Sequence, residues 1–232
     1  MVSENLLATK FHLPSRPAQW VSRPLLSRRL QDGLKRNRPL ILVSAPAGFG
    51  KTTAISAWIH TLDMPVTWLS LDAGDDDPGR FFTYLIAALQ TVDPGLGGEI
   101  EAALRSGQLP PAEVISVMLS NDMLAVADRF LLVLDDFHLI QDPIILQVLE
   151  TLIVNPPPSL RLAIITREDP PLPLARLRAG NRLTEIRAQD LRFTGQETAR
   201  FLETLGLTLS ADDIAALAEK TVVHPSPSLT CA

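Results

Sequence analysis

Cysteine is nearly absent from this sequence: Cys231 is the single one in 232 residues. A lone thiol can form neither an internal disulfide nor a cysteine-rich zinc site, which fits a reducing cytosol. Long apolar runs are missing as well. Even the apolar block at residues 130–134 meets Asp135 at once, so no window reaches the ~20 residues that a membrane helix needs. Residues 1–5 carry no basic stretch followed by an apolar core, so no secretory leader is expected. There is no basic excess either. Against 21 Lys and Arg stand 26 Asp and Glu, for a formal charge of −5. An acidic chain is a poor match for a phosphate backbone, so direct DNA binding is disfavoured. The working expectation is a cytoplasmic protein without membrane attachment.

What is present is enough for a fold. With 46% hydrophobic and 20% charged residues, the composition is that of a globular chain with one sizeable core. No internal repeat or low-complexity tract stands out. Short apolar blocks at 40–43, 66–71, 130–134, 160–166 and 183–187 read as five strands. Helical patterns lie between them at 25–34, 51–62, 81–91, 99–105, 112–127, 143–154 and 173–179. Pro78 suits the first turn of one helix, and Pro156-Pro157-Pro158 stops another. Thr194-Gly195-Gln196-Glu197 has the spacing of a capping box and opens a helix to about Leu205, with another beginning at Ser210. Strands alternating with helices predict an α/β fold, a parallel sheet with helices on both faces.

The chemistry concentrates in Ser44-Ala45-Pro46-Ala47-Gly48-Phe49-Gly50-Lys51-Thr52-Thr53, which follows the first strand and opens a helix. It matches the P-loop pattern G-x-x-x-x-G-K-[ST], except that Ala45 replaces the first glycine. Small residues let backbone N–H groups turn inward, and the helix start presents its free amides to phosphates. Lys51 would add a point charge near the β and γ phosphates. The Thr52 hydroxyl would ligate Mg²⁺. Ala45 is tolerable if that position does not need positive φ.

Four apolar residues, Leu131 to Leu134, lead into Asp135-Asp136. Asp135 then stands at the carboxyl end of a buried strand, where open α/β sheets bind ligands, and reads as the magnesium-holding carboxylate. Asp136 is placed to orient or deprotonate an attacking water. Arg167, at the end of the fourth strand, would face the γ phosphate; the alternative is a surface arginine paired with Glu168 or Asp169. His138 near the acids is a structural residue unless its neighbours make it catalytic. Asp75-Asp76-Asp77 reads as a solvated loop.

With these pieces placed, residues 6–220 resemble the NTPase domain of MalT-like, large ATP-binding LuxR-type transcriptional regulators, of the STAND class of signalling ATPases. The likeness rests on the loop above, on Thr9-Lys10-Phe11-His12-Leu13-Pro14 and on Arg23-Pro24-Leu25-Leu26. It continues in Trp68-Leu69-Ser70-Leu71-Asp72, Asp77-Pro78-Gly79-Arg80-Phe81 and Asp135-Asp136-Phe137-His138-Leu139-Ile140. Thr166-Arg167-Glu168-Asp169-Pro170-Pro171-Leu172-Pro173-Leu174 and Leu191-Arg192-Phe193-Thr194 complete it. The resemblance implies a three-layer P-loop NTPase that binds ATP or ADP with Mg²⁺, hydrolyses ATP slowly and self-associates in the ATP state. It implies Ala45 as the usual loop residue, Val21 and Arg23 against adenine and sugar, and Arg167 as the sensor arginine. The family continues into a winged helix, a helical-repeat sensor and a helix-turn-helix. Here Val222-Val223-His224-Pro225-Ser226-Pro227-Ser228 reads as an altered or truncated end.

The expected division is therefore a flanking segment at 1–34, a P-loop core at 35–192, a helical segment at 193–221 and an irregular tail at 222–232. Two other readings use the same residues. One is a P-loop kinase of a small molecule, with residues 72–80 and 176–182 supplying an acceptor site. The other is a nucleotide-binding assembly module that does not hydrolyse.

Overall fold

The structure, a computed structural model, describes residues 6–15 and 20–207. The helix expected from Ser210, the tail at 222–232 and Cys231 lie outside the described residues. Five strands form one parallel sheet: β1 (Leu40–Ser44), β2 (Val66–Ser70), β3 (Phe130–Asp135), β4 (Leu160–Thr166) and β5 (Leu183–Arg187). Their order is β2-β3-β4-β1-β5. β1 pairs with both β4 and β5, and β4 separates it from β3.

The helices α1 (Pro24–Lys35), α2 (Lys51–Ile59), α3 (Pro78–Leu89), α4 (Gly98–Arg105), α5 (Ala112–Ala125), α6 (Pro143–Val154), α7 (Leu174–Ala179), α8 (Ala188–Leu191) and α9 (Gly195–Thr204) follow in chain order. The strands are apolar on both faces because both are covered. Leu40 and Leu42 of β1, with Leu132 and Leu134 of β3, join the core under α3, α5 and α6. Ile41, Val43, Leu131 and Val133, one residue out of phase, join the core under α1 and α2. That period-two division makes three layers, α/β/α.

Helix starts follow their caps. Asp77 accepts from the Arg80 N–H ahead of Pro78, and Asp142 accepts from Ile144 and Ile145 N–H ahead of Pro143. Thr194 and Glu197 form the reciprocal capping box of α9. Gly33 sits inside α1, where it weakens the helix. A Cβ there would lie 2.2 Å from Thr184 Oγ1, so the glycine permits α1 to press onto β5. Among the described residues no helix is long and apolar enough to cross a membrane.

The acidic run 75–77 departs from its expected place in solvent. Asp75 is fully buried and forms ion pairs with Lys10 and Arg80. Lys10, itself buried, lies 4.5 Å from the centroid of the Tyr84 ring. Asp76 accepts from the Gln141 and Asp142 N–H groups, and Asp77 caps α3. Each acid has a specific donor, and three of the donors are 65 or more residues away in the chain. Asp75→Ala should lower the unfolding free energy by ~3 kcal/mol, at the lower end for a broken buried pair because Asp72 still faces Lys10. Urea denaturation reads this directly; a loss under 1 kcal/mol would mean the pair is energetically idle.

Candidate functional site

The site opens at the carboxyl ends of β1, β3 and β4. β1 ends at Ser44, and the chain turns through Ala45 to Gly50 before α2 begins at Lys51. Gly48 and Gly50 take φ of 81° and 69°, the left-handed region that side chains disfavour. Ala45 is not among the non-glycine residues at positive φ, so a Cβ is accepted where the motif has glycine. Pro46, Ala47 and Gly48 are exposed, and Phe49 and Gly50 are half-buried. α2 has no side-chain cap, unlike α3, α6 and α9. Its first amides stay available at the positive end of the helix dipole.

Lys51 is not the surface charge its loop position suggests. It is 8% exposed, and its Nζ donates to the carbonyls of Ala45 and Pro46 at 2.8 and 2.9 Å. Burial pulls its pKa below the lysine range, while Asp136 and Asp135 pull the other way. The Thr52 hydroxyl donates to Asp135 Oδ2 at 2.9 Å. Thr53, one residue on, lines an apolar pocket described below.

Asp135 ends β3 at 4% exposure. Burial first, then the neighbouring Asp136 charge, pushes its pKa up to about 6. The sign of the consequence follows. A carboxyl raised from 3.8 to about 6 in the fold holds its proton more tightly than in the unfolded chain. Stability therefore falls as pH rises between those values, and the ionised form is the less stable one above them. Asp135→Asn should raise stability near pH 7 by up to ~3 kcal/mol. That gain should shrink as pH falls from 6 toward 4, as thermal melts across this range would register. A destabilised variant at pH 7 would mean the carboxylate is a net support of the fold.

Asp136 adopts φ 57°, a left-handed turn that re-aims the chain after the strand, and its N–H donates to Asp135 Oδ1 at 2.9 Å. Its carboxylate is half exposed and lies 3.8 Å from His138 Nδ1. Burial, then Arg167, lowers the His138 pKa, so the ring is neutral at pH 7. Its Nδ1 is buried with no hydrogen-bond partner among the described residues. Arg167 is exposed after β4 and close enough to act electrostatically on both Lys51 and His138. Asp169 pairs instead with Arg178 and Arg187, so Arg167 has no ion pair among the described residues.

Beside the loop, Val21 and Arg23 line a pocket with Gly50, Thr53 and Trp58. The Arg23 guanidinium is turned away from solvent: Nη2 donates to the carbonyls of Asp190 and Arg192 at 3.0 and 2.8 Å. Sequence reasoning did not single out Trp20, Trp58 or Phe201 for this pocket. They come from three distant segments, and only Phe193 among the further aromatics belongs to a recognisable motif.

No protein-family model matches the chain. It is 35% identical over 198 residues to an HTH-type transcriptional regulator MalT of Cronobacter sakazakii, covering 85% of this chain and 22% of the relative. It is 33% identical over 215 residues to the regulator of the same name from Klebsiella pneumoniae, covering 92% and 24%. The chain thus spans about a quarter of the length of these relatives. Among solved structures, a Walker-type ATPase of Pyrococcus abyssi superposes with a TM-score of 0.54 at 14% identity, covering 89% of this chain and 65% of that one. Cdc6p of Pyrobaculum aerophilum gives 0.50 at 15%, covering 92% and 58%. The fold is that of the P-loop NTPases.

Proposed function

From its homology to one segment of MalT-named regulators and its P-loop NTPase fold, we propose that this chain is a switch domain that binds ATP with magnesium and hydrolyses it slowly. The observation that carries this reading is the Thr52 hydroxyl 2.9 Å from the Asp135 carboxylate, beside a loop with free helix-start amides. A hydroxyl and one carboxylate are hard oxygen donors. They suit Mg²⁺, which takes few protein ligands and completes its shell with water and phosphate oxygens. When bound, that ion would neutralise charge on the β and γ phosphates.

Each residue then has a task. The amides from Ala47 to Thr53 cradle the phosphates, and Lys51 exchanges the Ala45 and Pro46 carbonyls for phosphate oxygens. Asp136 orients the attacking water and takes its proton. The His138 ring lies beside Asp136, its Nδ1 3.8 Å from the carboxylate. Arg167 faces the γ phosphate as the cation that senses it. Val21, Arg23 and the pocket around them hold base and sugar. Slow turnover follows if a further cation comes from outside this segment or from a second copy, since such a group is worth ~10³–10⁵ in rate. ATP would favour the associating form, hydrolysis would return it to rest, and the protein would work in the cytoplasm without touching DNA through this segment.

The kinase reading lacks a free base. Asp72 and Asp75 are tied to Lys10 and Arg80, and Arg178 is tied to Asp169 and Glu185. Retention of radiolabelled ATP on purified protein, with and without Mg²⁺, tests the proposal together with phosphate release. Retention that depends on magnesium and slow release without any acceptor are expected. No binding at millimolar ATP would end the reading.

A further inference from the structure

We propose that α9, with Phe193 before it, is a gate over the base pocket, latched by Arg23 and Glu197, and that a bound base ties α9 to α2. This rests on the nucleotide reading above. The pocket has three walls: residues 20–27, the loop end with α2, and Phe193 with Phe201. Its free interior is about 20 Å³, room for roughly one water and not for a purine. One wall must move.

Two of the walls are embedded. Ile55, Trp58 and Ile59 of α2, with Leu26 and Leu30 of α1, belong to the core under the sheet. The third is lightly anchored. In α9 only Glu197, Thr198 and Phe201 are buried, and Phe201 packs on Phe193 with ring centroids 5.7 Å apart. The remaining hold is polar and passes through Arg23. Its guanidinium stacks over Phe193 at 5.1 Å and donates to the Asp190 and Arg192 carbonyls just ahead of α9. Glu197 serves twice: Oε2 accepts from the Thr194 N–H at 2.8 Å, while Oε1 stands 3.7 Å from Arg23 Nε.

The closed gate is not fully satisfied. Arg23 Nε, Trp58 Nε1 and Thr198 Oγ1 are buried without a hydrogen-bond partner among the described residues, and the first two belong to residues lining the pocket. Unpaired buried donors are costly. A purine carries ring-nitrogen acceptors and a flat face for Phe193. Its entry therefore opens the latch, relieves those donors and reseats α9 against the new surface. Nucleotide occupancy becomes a mechanical property of the helix that leads out of the core.

The test compares a base-bearing ligand with a baseless one, using Glu197→Gln and the wild type. A fluorescent ATP analogue is followed by stopped flow, inorganic tripolyphosphate serves as competitor, and hydrogen exchange is read in α9. Glu197→Gln should speed association of the analogue roughly tenfold, the worth of one close ion pair lost from the closed gate, and leave dissociation little changed. Tripolyphosphate affinity should not change. In the wild type ATP should slow exchange in α9, and tripolyphosphate should not. Phe193→Ala, which widens the gate without touching the cap of α9, should speed entry too and stands in should the first variant unfold. Normal ATP binding with unaltered rates in both variants and unaltered α9 exchange overturns the latch and leaves the nucleotide reading standing. Binding of neither ligand by the wild type overturns both.

Discussion

Lys51→Ala is expected to weaken ATP binding about 100-fold or more while the protein stays folded. The ammonium is buried and held by two loop carbonyls, poised where a triphosphate would replace them. Losing one partner of a desolvated charged contact costs ~2–5 kcal/mol, and ~2.7 kcal/mol is already a hundredfold. The fold should lose less, ~1–2 kcal/mol, because the groups left behind are carbonyls. That of Pro46 belongs to an exposed residue, where water can take over. Titration calorimetry with ATP and a thermal melt on the same sample separate the two effects. Global unfolding would make the lysine a structural prop, and unchanged affinity would remove it from the site.

Asp136→Asn is expected to slow phosphate release by ~10²–10⁴, the usual worth of a positioned general base, with ATP affinity altered only a few-fold. Asparagine keeps the size of the side chain and accepts the left-handed backbone at φ 57°, so the turn after β3 survives. The substitution also removes the charge that helps raise the Asp135 pKa, which should make that carboxylate easier to ionise. A modest gain in magnesium-dependent binding would accompany the loss of turnover. Single-turnover hydrolysis with the variant is the measurement. Unchanged release would mean that Asp136 is not catalytic.

The layers of this fold are legible because each strand is buried on both faces and reads as an apolar block. Leu40 to Val43 and Leu131 to Leu134 need no partner to be recognised, and Thr194 with Glu197 announces α9 locally. The loop at Ala45 to Thr53 is legible for the same reason: its chemistry is contiguous. What depends on distant partners is not. The sequence carries no sign that Lys10 waits for Asp75, so three consecutive acids look solvated when one of them is fully buried. Lys51 looks exposed because its acceptors are backbone carbonyls, which every residue has. The aromatic pocket is assembled from Trp20, Trp58, Phe193 and Phe201, and no spacing rule connects those four. Short turns such as α8 at Ala188–Leu191 are below what periodicity resolves.

The placement of β4 between β1 and β3 has a consequence for how the chain reaches its native state. Thr52 and Asp135 are 83 residues apart; Thr52 opens α2 just after β1 and Asp135 ends β3, two strands that do not pair, so neither can find the other until the intervening strand has docked on both sides. Half-zipped intermediates would lack the ion-holding pair altogether. Closure of so large a loop is slow relative to local helix formation. A refolding experiment should therefore find that secondary structure returns first and that affinity for magnesium–ATP returns last, in the same phase as completion of the central sheet.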